Sequence, residues 1–337
     1  MSMNKEINGV TINKTCEANI KRVLCVGSLI MDMFPANQTG SIAEQPFFTP
    51  VPGGAVGNVA VMLTRMGVDA TLVAKVGNDA FGRHMINTYK NNYVDTDCII
   101  LDNKRRTTMN FHAYKPNGRV EYLFYRNPGA DTMLSQEELP LDLLDDVSLL
   151  HFDSLCFSDE PFKSTCLSLM KNARRKRIPV SLDVNYREPV WPDGGWPALM
   201  EELFAEVDIL KLNEAELALL NPEAAKESIL ESIAQRNVGI VLVTEGEQGA
   251  TILHNGAFYR HSGYKVETVD TIGCGDAFMG AFLSQFIDYD VTSAIPGDRL
   301  NIMLIRANAA AALTATKRGA LSALPKKEEI MELAEKI

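Results

Sequence analysis

The chain has 337 residues, 46% of them hydrophobic and 23% charged, and a formal net charge of -10. That acidity denies it the broad basic field that draws proteins to nucleic acid, and its apolar runs are too short or too interrupted to span a membrane. The six cysteines are scattered, with no CxxC pair, so reduced thiols in a cytoplasm are expected rather than a disulfide framework.

A polar leader containing Glu6 and Glu17 precedes an apolar stretch at 23–34. Asp32 interrupts that stretch, so it is expected to be a buried first strand (23–27) rather than a signal-peptide core. Residues 34–52, rich in Pro, Gly, Thr and Gln, look irregular. A helix over 56–66, a strand over 71–76 and a helix over 81–89 follow. Residues 107–114 and 119–125 then form a hairpin signal around Pro116-Asn117-Gly118, because Asn-Gly accepts the positive φ of a tight turn. Beyond it come a strand at 149–152, a helix at 162–176 and strands at 180–184, 209–211 and 240–244, with a helix at 199–206. The basic run from Lys171 to Arg177 closes the helix at 162–176, where cations suit the carbonyl end. Finally a β-rich run at 264–269 leads into a small-residue helix at 277–286. Several strands are apolar throughout, which suits strands covered on both faces. The βαβα order predicts an α/β fold with a doubly wound, mainly parallel sheet. The two interruptions predict a small antiparallel β lid. The expected division is a core of residues 20–33, 53–101 and 127–337, with a lid of 34–52 and 102–126.

The strongest local motif is Asp270-Thr271-Ile272-Gly273-Cys274-Gly275-Asp276 at the start of a helix. Gly273 and Gly275 let the backbone turn sharply with its N–H groups exposed, which makes a concavity for an anion. Asp276 at that point reads either as a helix cap or as a base beside a phosphate cradle. The second meaning has a mechanism: phosphoryl transfer needs positioning and charge neutralisation, and a carboxylate can take the proton from the attacking hydroxyl. A second motif, Gly53-Gly54-Ala55-Val56-Gly57-Asn58, lets a ligand approach backbone at another helix start. Asp32 follows the first strand, at the end of the sheet where ligands of open α/β folds bind.

These paired motifs resemble those of the ribokinase/PfkB carbohydrate kinase family, over nearly the whole chain after the leader. The resemblance implies a ribokinase-like fold, a Rossmann-like αβα sandwich with a small β lid, and an ATP-dependent kinase acting with Mg²⁺. It makes Asp276 the catalytic base and Gly273, Cys274 and Gly275 the anion hole. Asp32, Gly53, Gly54 and Asn58 would then contact sugar hydroxyls. Asn213 and Glu216, in Asn213-Glu214-Ala215-Glu216, match an N-x-x-E element near magnesium and phosphate. Thr244, Gly246 and Gly249 match the nucleotide loop, and Asn308 approaches adenine. Potassium binding is implied through Asp270, Ile272, Thr314 and Gly319. Cys274 stands where the family more often has alanine, which suggests a thiol open to oxidants.

The segment from Asp183 to Trp191 resembles the D-x-N-x-R…W pattern of fructokinases and 2-keto-3-deoxygluconate kinases, with Asn185 and Arg187 as phosphate-side contacts. Fructose is the first choice of substrate. Tyr114, Tyr125 and Arg126 on the hairpin are expected to wall the sugar, and an arginine there would equally suit a sugar acid. Nucleoside and sugar-phosphate kinases remain alternatives, as does a non-catalytic sugar-sensing protein. A dinucleotide-dependent oxidoreductase fits poorly, since Gly27-Ser28-Leu29 supplies no G-x-G-x-x-G. No P-loop or G-x-S-x-G elbow exists, and the five histidines never fall at metal-ligand spacing. A homodimer through the exposed lid edges is also expected.

Overall fold

The computed structural model describes residues 21–37, 39–115, 120–191, 194–289 and 294–336. Strand β1 (Arg22–Val26) opens the main sheet, and the chain then leaves it for β2 (Ile30–Pro35) and β3 (Phe48–Gly53). Helix α1 (Ala55–Met66) returns it to β4 (Asp69–Gly77), α2 (Ala80–Asn91) and β5 (Ile99–Asp102). A second excursion makes β6 (Met109–Tyr114) and β7 (Val120–Tyr125). Then follow β8 (Val147–Asp153), α3 (Phe162–Arg175), β9 (Val180–Asp183), α4 (Trp196–Phe204), β10 (Ile209–Asn213), α5 (Glu214–Leu220) and α6 (Lys226–Ala234). The chain ends with β11 (Ile240–Thr244), β12 (Ala250–His254), β13 (Ala257–His261), α7 (Cys274–Phe286), α8 (Gly297–Ala315) and α9 (Lys327–Ala334).

The main sheet has nine strands in the order β13-β12-β11-β10-β9-β8-β1-β4-β5. All pairs are parallel except those made by β12 and β13. Side chains alternate across it with period two. Val23 and Cys25 of β1 join the core under α1, α7 and α8, while Leu24 and Val26 join the opposite core under α3, α4 and α6. Two cores explain why these strands are apolar throughout. The αβα sandwich is therefore the observed architecture. Among the described residues, no helix is long and apolar enough to cross a membrane.

The small sheet runs β3-β2-β6-β7. It begins at Ile30 and pairs β2 with β3 over residues read as irregular from the sequence. Pro50 and Pro52 are tolerated because β3 is an edge strand, where a missing N–H breaks no ladder. The sheet is mixed rather than antiparallel, since β2 and β6 run parallel. The hairpin turn at Pro116-Asn117-Gly118 lies outside the described residues. A second departure concerns 264–269, which is not a strand. β13 already forms the sheet edge, and Gly263 turns the chain away at φ +72°. The N–H groups of Val269 and Asp270 bond instead to Ala315 O in α8.

Candidate active site

The carboxyl ends of the parallel strands, the starts of α1 and α7, and the lid enclose a cavity of about 470 Å³. Parallel topology directs every strand's end and the following helix start to this one side. Helix α7 begins at Cys274, three residues earlier than expected, so Asp276 lies inside its first turn. There the carboxylate caps nothing. Its Oδ2 accepts from Asn58 Nδ2 at 2.7 Å. Burial, and next the Asp183 carboxylate, push Asp276 up to about 6, while Asn58, Lys211 and Arg187 pull the other way. A base titrating close to working pH is well matched to proton abstraction.

Asp32 stands across the same end of the cavity. Burial raises it to about 6, against the hydrogen bond that Asn110 Nδ2 donates to its Oδ1 at 2.8 Å. Gly53 itself does not line the cavity. It leaves room for Asp32, since a Cβ there would meet Asp32 Oδ2 at 2.0 Å. Gly54 lies on the wall and serves as N-cap of α1 at φ +110°, a conformation only glycine adopts freely.

Gly273 adopts φ +80° and turns the chain into α7. Among the described residues, the N–H groups of Gly275 and Asp276 donate to no backbone carbonyl. They point where helix-start amides have no partner of their own, as an anion site requires. Lys211 Nζ adds a full positive charge: an added Cβ on Gly275 would lie 3.1 Å from it. Asp183 holds the ammonium with both oxygens, at 2.9 and 2.8 Å. Burial works against the Lys211 charge, but Asp183 and then Glu216 more than offset it, so its pKa lies above the usual value.

The cavity continues past Asn185, Arg187, Asn213, Glu216, Thr244, Gly246, Gly249 and Asn308, all on its lining. Asn213 caps α5 by accepting from Glu216 N at 2.9 Å. In return Glu216 accepts from Asn213 N and Tyr186 N, both at 2.8 Å. Its carboxylate thus fastens two loops as well as facing the cavity. Asp270 accepts from Ile272 N at 3.1 Å and Gly319 N at 3.0 Å, so those three residues meet. Thr314 sits one step away: its hydroxyl bonds Ala310 O within α8 and its carbonyl accepts from Lys317 N.

Besides Gly53, two expected contacts on the hairpin are displaced. Tyr125 is 60% exposed on the outer face of the lid, because the alternation of β7 sends Val120, Tyr122 and Phe124 into the cavity. Arg126 is buried away from the lining, where it bonds Asp131, Asp159, Ser158 and Ser28. Tyr114 does line the cavity. The Cys274 thiol is not activated. Burial, then Asp270 and Asp276, push it up to about 12, which favours an inert protonated form. Sequence reasoning passed over Lys211, though a lysine inside the apolar run Ile209-Leu210-Lys211-Leu212 was a signal of a buried paired charge. It also passed over Asn110, His112, Tyr122 and Phe124, whose inward direction depends on the lid's register.

Comparisons with known proteins place the chain in a family. Residues 20–327 match the pfkB family of carbohydrate kinases. Fructokinase-1 of Oryza sativa subsp. japonica is 34% identical over 315 residues, covering 93% of this chain and 97% of the relative. The crystal structure of a fructokinase from Xylella fastidiosa with bound ATP superposes with a TM-score of 0.86 at 26% identity, covering 94% of this chain and 98% of that one. A fructokinase from Vibrio cholerae O395, bound to fructose, ADP and calcium ion, gives 0.83 at 27%, covering 94% and 99%. This chain therefore belongs to the pfkB family of carbohydrate kinases and is an ATP-dependent sugar kinase.

Proposed function

We propose that the protein phosphorylates fructose, with Asp276 accepting the proton of the attacking hydroxyl. The observation that carries this is a buried carboxylate, raised to about 6, in the first turn of a helix whose Gly275 and Asp276 N–H groups have no backbone acceptor. The sugar would lie against Asp32, Gly54 and Asn58, and the nucleotide along Asn185, Arg187, Thr244, Gly246, Gly249 and Asn308. The fructokinase relatives, and the fructose and ADP bound to the Vibrio cholerae enzyme, support that choice. Each of base and anion hole contributes on the order of 10²–10⁴-fold in enzymes of this kind.

Magnesium fits as an ion held mainly by phosphates and water, because such ions keep several waters and take few protein ligands. Asp183, Asn213 and Glu216 would face it; among the described residues no group of three or more His, Cys, Asp or Glu forms a cage. When bound, magnesium supplies charge neutralisation on the transferred phosphoryl group. Potassium would sit by Asp270, whose carboxylate already gathers the Ile272 and Gly319 loops.

A 2-keto-3-deoxygluconate kinase is the second reading, favoured by Arg187 on the cavity wall, 5.8 Å above the Tyr122 ring. A cytoplasmic setting is consistent with the five free cysteines among the described residues. Leu123 and Tyr125, exposed on the outer face of the lid, offer a surface for a lid-to-lid homodimer. The function is tested by ATP consumption with magnesium and potassium across fructose, ribose, keto-deoxygluconate, nucleosides and sugar phosphates. Turnover with fructose supports the proposal, and turnover with keto-deoxygluconate alone replaces it by the second reading.

A further inference from the structure

Resting on the kinase function proposed above, we infer that His112 of the lid contacts an acceptor hydroxyl and fits the site to neutral polyhydroxylated sugars. Strand β6 presents Asn110, His112 and Tyr114 to the cavity at a spacing of two, the period of a strand. Its first and last polar side chains find partners within the protein, the first on neighbouring β2 and the last in the segment before α7. Asn110 donates to Asp32 Oδ1 at 2.8 Å, and the Tyr114 hydroxyl reaches Asp270 Oδ1 at 3.4 Å. His112, between them, does not. It is 2% exposed and set edge-on against Phe34 (ring centroids 4.6 Å apart) and Tyr114 (5.8 Å). Its Nε2 finds no hydrogen-bond partner among the described residues.

Two other cavity residues carry buried atoms in the same condition, Asn58 Oδ1 and Asn110 Oδ1. A polar atom buried without a partner costs free energy, and native proteins rarely keep one without a use. Three such atoms on residues lining one cavity are accounted for together if a hydroxyl-rich ligand completes them. The chemistry of His112 suits that partner. Burial, against Asp270 and together with Arg318, takes its imidazole down to about 4, so the ring is neutral and offers one donor and one acceptor. A hydroxyl is likewise both. Opposite His112 in the register, Tyr122 stands beside Phe124 on the cavity wall and gives the carbon face of a sugar ring an apolar surface. Asp32 and Asp276 repel a second anion here and the Arg187 guanidinium near Tyr122 partly offsets them, so at its own position the neutral ring of His112 favours a hydroxyl.

The test is steady-state kinetics with fructose and MgATP for His112→Phe and His112→Gln, with Asp276→Asn alongside and thermal melts without sugar. The phenylalanine variant keeps the ring and loses both nitrogens. Its fructose KM should rise about 3- to 10-fold, the loss expected for one neutral hydrogen bond, with the ATP KM unchanged. Its sugar-free melting temperature should be equal or higher, because an orphaned polar atom has been removed. A merely structural role predicts the reverse. His112→Gln, which retains a donor and an acceptor, should recover most of the fructose affinity, and it decides the matter alone if the phenylalanine variant is poorly folded. Unchanged fructose KM in both variants while Asp276→Asn is inactive overturns the role of His112 and leaves the kinase standing. Full activity of Asp276→Asn removes the base assignment first. Turnover with sugar acids but not neutral sugars overturns the acceptor class.

Discussion

Replacing Asn58 by leucine should move the pH dependence of the enzyme. The Asn58 amide donates to Asp276 Oδ2 at 2.7 Å, and this bond is one of the forces holding the buried carboxylate down at about 6. A hydrogen bond to an ionised group contributes about 1.5–3 kcal/mol, and one pKa unit corresponds to about 1.4 kcal/mol. Losing the bond disfavours the charged form, so Asp276 should rise by about one to two units. A general base works only when deprotonated. The acid limb of kcat/KM for fructose should therefore shift from near pH 6 to between about 7 and 8. Coupled measurement of ADP release at subsaturating fructose, from pH 5 to 9, reads the limb directly. Asn58 also lines the cavity proposed to hold the sugar, so the rate should fall at every pH, and the position of the limb is the informative quantity. A uniform loss of rate with the limb still near 6 would refute the claim that Asn58 tunes the base.

Asp276→Asn should stabilise the protein at pH 7.5 while removing activity. Because the folded-state pKa is raised from 3.8 to about 6, the folded protein binds more protons across that window, so stability falls as pH rises through it and the penalty is full above it. The substitution should gain on the order of 3 kcal/mol near neutrality, and denaturant melts should show the gain vanishing below about pH 4. Lys211→Met should lower unfolding free energy in urea by about 3–5 kcal/mol, since it leaves Asp183 buried and unpaired; the double variant with Asp183→Asn should recover much of that. Cys274→Ala should leave turnover near wild type, and mass spectrometry should find Cys274 slow to alkylate with iodoacetamide at pH 7.5, as its raised pKa requires.

The core was legible because its physics is local. Strands such as Ile240–Thr244, covered on both faces, need apolar residues throughout, and the motif at 270–276 carries its own turn in two glycines. The stretch 264–269 misled because its residues favour a strand, yet the sheet already ends at β13 and offers no place for one. The lid was harder for a related reason. Tyr122, Phe124 and Tyr125 are adjacent aromatics in one strand, and only the pairing of β7 with β6 decides which of them face inward. A one-residue change of register reverses every side chain. Arg126 lies one residue beyond that strand, and its diversion to Asp131 and Asp159 depends on a loop and on the residues after β8, which no local pattern links to it.

The most direct test compares fructose-dependent ATP consumption by the wild type and Asp276→Asn, with magnesium and potassium present and the phosphorylated sugar measured as product. The account predicts stoichiometric sugar phosphate and ADP from the wild type, and a loss of about 10²–10⁴-fold or more in the variant. A variant that phosphorylates fructose at the wild-type rate would contradict it.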